Sequence, residues 1–199
     1  MTKTVSALYD TYDAASSAVS ALEANGVPRS EISIVANNSE NWHRDERSSD
    51  AAEDAGTGAG VGAAVGGVGG LLTGLGIMAI PGVGPVVAAG WLVATAVGAV
   101  AGAAVGGATG GIIGSLTGAG VPEDEANLYA EGVRRGGTLV TARVDDARAT
   151  DSQAILQRHK AVDIGVRGKL YRDSGWSRFD EKAPVYTADQ VARERSLYR

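Results

Sequence analysis

Several residue types that commonly carry chemistry are scarce or absent in this sequence. Its 199 residues include no cysteine, two histidines and one phenylalanine. The lack of cysteine excludes disulfides, thiolate catalysis and cysteine-based metal sites. His43 and His159 have no second ligand at metal-binding spacing, and no Gly-Lys-Ser/Thr element is present to bind phosphates. We therefore expect a non-enzymatic protein with no catalytic residue, no cofactor and no metal site.

Charge is missing from one long segment and uneven elsewhere. The 68 residues between Asp54 and Glu123 carry no charged side chain. Residues 1–54 hold four basic and ten acidic side chains, whereas residues 166–199 hold eight basic and five acidic ones. An acidic body with a mildly basic tail argues against a nucleic-acid surface. The first ten residues lack an apolar run of signal-peptide length, so we expect no export from the cytoplasm.

Glycine recurs every fourth residue within the uncharged segment. This spacing places the glycines on one stripe of an α-helix, where another helix backbone can approach closely. We expect a glycine-zipper helical hairpin over residues 55–120, with Pro81, Gly82, Gly84 and Pro85 forming its turn. The expected packing residues are Gly58, Gly62, Gly66, Gly70 and Gly74 in the first arm, and Gly98, Gly102, Gly106, Gly110, Gly114 and Gly118 in the second.

Two environments could stabilise such a hairpin, because glycine costs up to about 1 kcal/mol per helical position relative to alanine. In one, the hairpin inserts into the lipid bilayer at the cytoplasmic face of the inner membrane, and its arms exceed the roughly 30 Å of hydrocarbon. In the other, hairpins of several copies form the shared core of a cytoplasmic homo-oligomer. Membrane insertion is the favoured expectation, although glycine and alanine partition weakly into lipid. In both cases the protein's partner is itself.

The remaining sequence alternates strand and helix patterns. We expect strands at residues 4–9, 32–36, 138–144 and 161–165, and helices that begin near Asp10, at Pro122 and at a Thr150–Gln153 capping box. The order is β-α-β, then α-β-α-β. This predicts an α+β fold, a ferredoxin-like split β-α-β sandwich interrupted by the hairpin.

The predicted organisation has five parts, and the last is a tail with a short helix. They are the first half of the sandwich (1–40), a polar linker (41–54), the hairpin (55–120), the second half of the sandwich (121–165) and the C-terminal tail (166–199). Trp176, Phe179 and Tyr186 are expected to anchor the tail on a folded surface, since exposed aromatic side chains leave apolar area in water. Arg172, Arg178 and Lys182 would then face the acidic N-terminal half.

Four segments together resemble a known family. Residues 76–90, 120–126, 131–140 and 156–164 look like the bacterial general stress proteins of the heat-induced YflT type, and in particular their glycine-zipper, low-temperature-induced members. The resemblance covers about residues 3–165. It implies a stress-response protein and brings no catalytic residue with it.

A third hypothesis is a ligand-sensing module of the ferredoxin-like class. Sheets of this type sometimes bind small regulators, and Tyr9 and Tyr12 could line such a cleft. Packing in the core or at a sheet edge is the commoner use of these side chains.

Overall fold

The fold is an antiparallel sheet covered by helices on both faces. A computed structural model describes residues 2–43, 75–93, 95 and 111–198. Within these ranges the strands are β1 (Thr2–Tyr9), β2 (Ile32–Asn37), β3 (Gly76–Ile80), β4 (Gly84–Gly90) and β5 (Thr138–Asp145). The helices are α1 (Tyr12–Ala24), α2 (Gly111–Gly118), α3 (Glu123–Arg134), α4 (Asp146–Arg158), α5 (Ile164–Asp173) and α6 (Ala188–Ser196), with a 3-10 turn at Arg29–Glu31. The predicted α+β class is confirmed.

The five strands pair in the order β1-β5-β2-β4-β3. Every neighbouring pair is antiparallel, so β1 and β2 run parallel to each other on either side of β5. The register pairs Leu8 with Leu139 and Val35 with the same residue. Strand β5, which comes late in the chain, therefore lies between the two N-terminal strands. The finer ferredoxin-like assignment stays a prediction.

Alternating side chains on the sheet supply two separate cores. Leu8, Val35 and Leu139 point to one face, where they pack against α2 and α3. Ile34 and Val140 point to the other face and pack against α1 and α4. Because successive residues of a strand face opposite sides, an uninterrupted apolar strand such as β2 indicates burial on both faces.

The prediction of helical arms is wrong for the residues on either side of the turn. Residues 76–80 and 84–90 form strands β3 and β4, and β4 pairs with β2. Gly90 closes β4 with φ +99°, and a Cβ there would lie 2.1 Å from Ile32 O. A helical register through this glycine is therefore excluded. Residues 44–74 lie outside the described residues. They include most of the linker (41–54) and most of the first arm.

Two predictions in the second half of the sheet are also wrong. Residues 161–165 form no strand, since Asp163 caps α5 by accepting a hydrogen bond from Val166 N at 3.0 Å. Helix α4 begins at Asp146, one turn before the Thr150 capping box. The pairing of β5 with β1 extends to Asp145, so the chain passes directly from that strand into the helix.

Candidate functional site

The turn at Pro81–Pro85 joins strands β3 and β4. Val83 N donates a hydrogen bond to Ile80 O at 3.0 Å, closing the reversal. Gly82 and Gly84 have φ values of +72° and +98°, which L side chains rarely adopt. The chain thus reverses in the segment where the sequence predicts a turn, although it joins two strands and not two helices.

The C-terminal segment covers this turn. A Cβ added to Gly82 would lie 2.7 Å from the Cα of Glu181, and one added to Gly84 would lie 3.3 Å from the Cβ of Val185. Phe179 is 6% exposed and belongs to the core on the α2 and α3 face. The structure therefore brings together two groups of residues that the sequence singles out separately, the turn and the tail.

The other two predicted anchors of the tail are partly buried. Trp176 packs edge-on against the buried ring of Tyr171, with ring centroids 6.0 Å apart. Tyr186 lies beneath Arg134, whose guanidinium carbon is 4.7 Å from the ring centroid. Cation–π contacts of this kind are worth about 0.5–2 kcal/mol, depending on burial. All three predicted anchors therefore lie against the same chain.

A buried carboxylate organises the contact between α3 and α6. Glu131 has no exposed side-chain surface and accepts hydrogen bonds from Arg135 Nε at 2.7 Å and Arg134 Nη1 at 3.3 Å. Arg135 also pairs with Glu194 of α6 at 3.2 Å. Burial by itself would lower the pKa of Arg135, but the hydrogen bond and the charge of Glu131 more than offset this and raise it. Arg135 therefore stays charged while it joins Glu131 on α3 to Glu194 on α6.

Two further ion pairs join the C-terminal segment to the N-terminal half. Arg167 donates two hydrogen bonds to the carboxylate of Asp10, at 2.8 and 3.0 Å, and its guanidinium lies 3.7 Å from the ring centroid of Tyr198. Arg195 pairs with Glu40. The two parallel hydrogen bonds from Arg167 fix the orientation of its guanidinium on the Asp10 carboxylate and also strengthen the contact.

The basic residues predicted for these contacts are not the ones that make them. Arg178 pairs with Glu123, at the start of α3 and outside the N-terminal half, so the prediction is wrong for this residue. Within the part of the chain that the structure describes, no ion pair joins Arg172 or Lys182.

Most of the glycines predicted to pack helices lie outside the described residues. These are Gly58, Gly62, Gly66, Gly70, Gly74, Gly98, Gly102, Gly106 and Gly110. Gly114 and Gly118 lie in α2, and a Cβ on Gly118 would meet nothing within 4 Å. Nothing in one chain requires glycine at that position. The described helices include none with the length and apolar character needed to cross a membrane.

The tyrosines considered for ligand binding have structural contacts. Tyr9 is fully buried and donates a hydrogen bond to Leu156 O at 2.9 Å. Tyr12 packs on Trp42, with ring centroids 4.7 Å apart. In the described ranges no three metal-ligating side chains come together. The acidic residues at the start of α3 therefore form no such group.

Sequence reasoning missed the role of Glu131. Its spacing to Arg134 and Arg135, three and four residues along a helix, was a readable signal for side-chain pairing. The spacing does not show whether such a pair is buried. Burial depends on packing with distant parts of the chain such as α6, whose Glu194 pairs with Arg135.

The comparison with protein families is informative for the N-terminal part. Residues 4–82 match the model of the heat induced stress protein YflT domain. The resemblance to the YflT stress proteins is confirmed. The matched region runs from β1 into the turn after β3 and covers less than half of the chain. No curated protein and no solved structure matches the chain.

Proposed function

We propose that this protein is a non-enzymatic general stress-response protein that associates with copies of itself through its glycine-rich segments. The match to the YflT domain supports the stress role. The observation that carries self-association is the 68-residue uncharged stretch, with glycine at every fourth position on both sides of the turn. A stripe of glycines allows helix backbones to approach one another closely.

The position of β3 and β4 separates two segments that lie outside the described residues, one made of the end of the polar linker with the first glycine-rich part and one made of the second glycine-rich part. Strand β4 pairs with β2, so the centre of the stretch is part of the sheet. The first segment, residues 44–74, is flanked by Trp42, which packs on the body, and by Leu75, which packs against the α1 and α4 core. The second, residues 96–110, is followed by the buried Ile112. The described residues that flank each segment therefore belong to the folded body.

These lengths favour contact between copies over a membrane-spanning hairpin. As helices, segments of 31 and 15 residues would extend roughly 46 and 22 Å at 1.5 Å per residue. Crossing a hydrocarbon layer of roughly 30 Å and returning would need about twice that thickness. We therefore propose a homo-oligomer, with the bilayer as the alternative to be tested.

The test is the mass of the purified full-length protein, measured by light scattering or sedimentation in the absence of detergent. We expect a defined oligomer. Replacing Gly102 and Gly106 by leucine should reduce the mass, because two side chains on the glycine stripe would force the helices apart. The matched control is Ala104→Leu with Ala108→Leu, which adds leucines at the same spacing on the opposite side of the helix.

Other results would contradict the proposal. A monomeric wild-type protein, or an equal loss of mass in both double variants, would show that the glycine stripe is not a contact between copies. Pelleting with membranes that resists alkaline carbonate would support the bilayer alternative. Gly111 is unsuitable as a control position, because its φ of +84° would strain any replacement side chain.

A further inference from the structure

A polar cleft follows the outer edge of β1, away from the turn and the tail. It encloses about 450 Å³. One wall is the start of α3, the other is the end of α4 with the loop into α5, and Thr4 and Ser6 of β1 lie between them. This volume is within the roughly 300–1,000 Å³ that is typical of small-molecule sites.

The β1 side of the cleft offers hydrogen-bond acceptors, together with the backbone N–H groups of the same residues. Leu8 O accepts from Val162 N at 2.8 Å, so the even-numbered residues of β1 direct their backbone groups away from β5. Ser6 O points the same way, and its bond from the Tyr129 hydroxyl is long, at 3.4 Å. Thr4 Oγ1 donates its proton to Ala119 O at 2.7 Å and keeps its lone pairs.

Of the described side chains that bury a polar atom without a partner, Ser6 is the one that lines the cleft. The residue is 9% exposed, and no described group forms a hydrogen bond with its Oγ. Leaving a buried polar atom unpaired costs about 1–3 kcal/mol, so such an atom in a cleft calls for an explanation. A bound molecule at this position would supply the missing hydrogen bond.

The walls carry negative charge only. Glu125 on α3 and Asp163 before α5 line the cleft, and none of the lysines, arginines and histidines that the structure describes does so. The pKa of Tyr129, which also lines the cleft, is raised chiefly by burial and then by the charge of Glu125. Among the described residues, no group of three or more metal-ligating side chains includes this pair.

We propose that this cleft binds a small organic cation that carries N–H donors, of the primary ammonium class. The N–H groups of such a ligand would donate to the acceptors of Thr4 and Ser6, and its positive charge would face the two carboxylates on the walls. An anion would meet uncompensated negative charge. The inference does not depend on self-association, because every residue that it uses lies on the folded body.

The test compares three probes with the same four-carbon chain. Calorimetry and NMR of the full-length protein should show that putrescine binds, with the largest amide shifts at Thr4, Ser6 and Glu125. 1,4-Butanediol should bind at least tenfold more weakly, because it has no charge to meet the carboxylates. Succinate should not bind.

Variants separate this site from general charge effects. Glu125→Gln should weaken putrescine binding about tenfold, as expected when a charge-assisted hydrogen bond is lost. Asp124→Asn removes the same charge from the neighbouring residue, which does not line the cleft, and should leave binding unchanged. Ser6→Ala should weaken binding while leaving the melting temperature equal or higher, because it deletes an unpaired hydroxyl.

Three outcomes would overturn the proposal. They are no binding of putrescine, equal binding of butanediol, and equal losses in Glu125→Gln and Asp124→Asn.

Discussion

Glu131 offers the sharpest test of how the C-terminal segment is held. In the variant Glu131→Gln the side chain keeps its size, but Arg134 and Arg135 lose their shared carboxylate. Their side chains are only 12% and 10% exposed, so water replaces little of the lost interaction. Removing one partner of a buried ion pair typically costs about 3–5 kcal/mol.

The remaining contacts lower this figure. Arg135 keeps Glu194, and Arg134 Nη2 still donates to Pro184 O at 2.9 Å. We therefore expect the lower end of the range, a loss of about 3 kcal/mol in the free energy of unfolding. For a domain of this size that corresponds to a fall in melting temperature of roughly 6–12 °C.

The assay is thermal and urea unfolding followed by circular dichroism, with Glu123→Gln as the control. Glu123 is on the same helix and also pairs with an arginine, Arg178, but both side chains are more than half exposed. Surface pairs contribute about 0–1 kcal/mol, so the control should change little. If both variants lose the same free energy, or if Glu131→Gln loses less than 1 kcal/mol, the buried cluster does not stabilise the tail as argued.

Three further predictions concern the same surface. Gly82→Ala should speed hydrogen exchange in residues 179–186, because the methyl group meets the backbone of Glu181, whereas Gly118→Ala, with open space around it, should not. Phe179→Ala should destabilise the protein by about 3–5 kcal/mol, and a loss below 1 kcal/mol would mean that the ring is not part of the core. Burial, followed by the hydrogen bond to Glu194, raises the pKa of Tyr198 to about 12 from 10.0. Because the folded state favours the neutral phenol, this contribution to stability should be complete below pH 10 and lost between pH 10 and about 12. Tyr198→Phe should flatten that part of the pH profile of unfolding.

The parts of the fold that the sequence predicts well are those with local signals. Strands β1, β2 and β5 follow runs of apolar and β-branched residues, and α3 follows Pro122 and three acids. Helix α6 begins with a local signal of the same kind, a capping box of Thr187 and Gln190. Each of these signals acts within a few residues, so it does not depend on how the rest of the chain folds.

The candidate site was only partly predictable for the same reason. The aromatic residues of the tail stand out in the sequence because they lie among charged residues with no core of their own. Their partners do not stand out, because contacting residues such as Gly82 and Phe179 are nearly a hundred positions apart in the sequence. The cleft beside β1 is likewise formed by three separate parts of the chain.

Residues 76–90 show most clearly that the local sequence pattern does not decide between helix and strand. Glycine at every fourth position in residues 58–74 and 98–118 fits a helix stripe, whereas residues 76–90 between them have irregularly spaced glycines and the β-branched residues typical of a strand. The sequence by itself determined a chain reversal at Pro81–Pro85, because proline and glycine restrict or free backbone angles locally. Only the tertiary structure decided that strands flank it, because β4 forms where the edge of β2 supplies hydrogen-bond partners from a distant part of the chain.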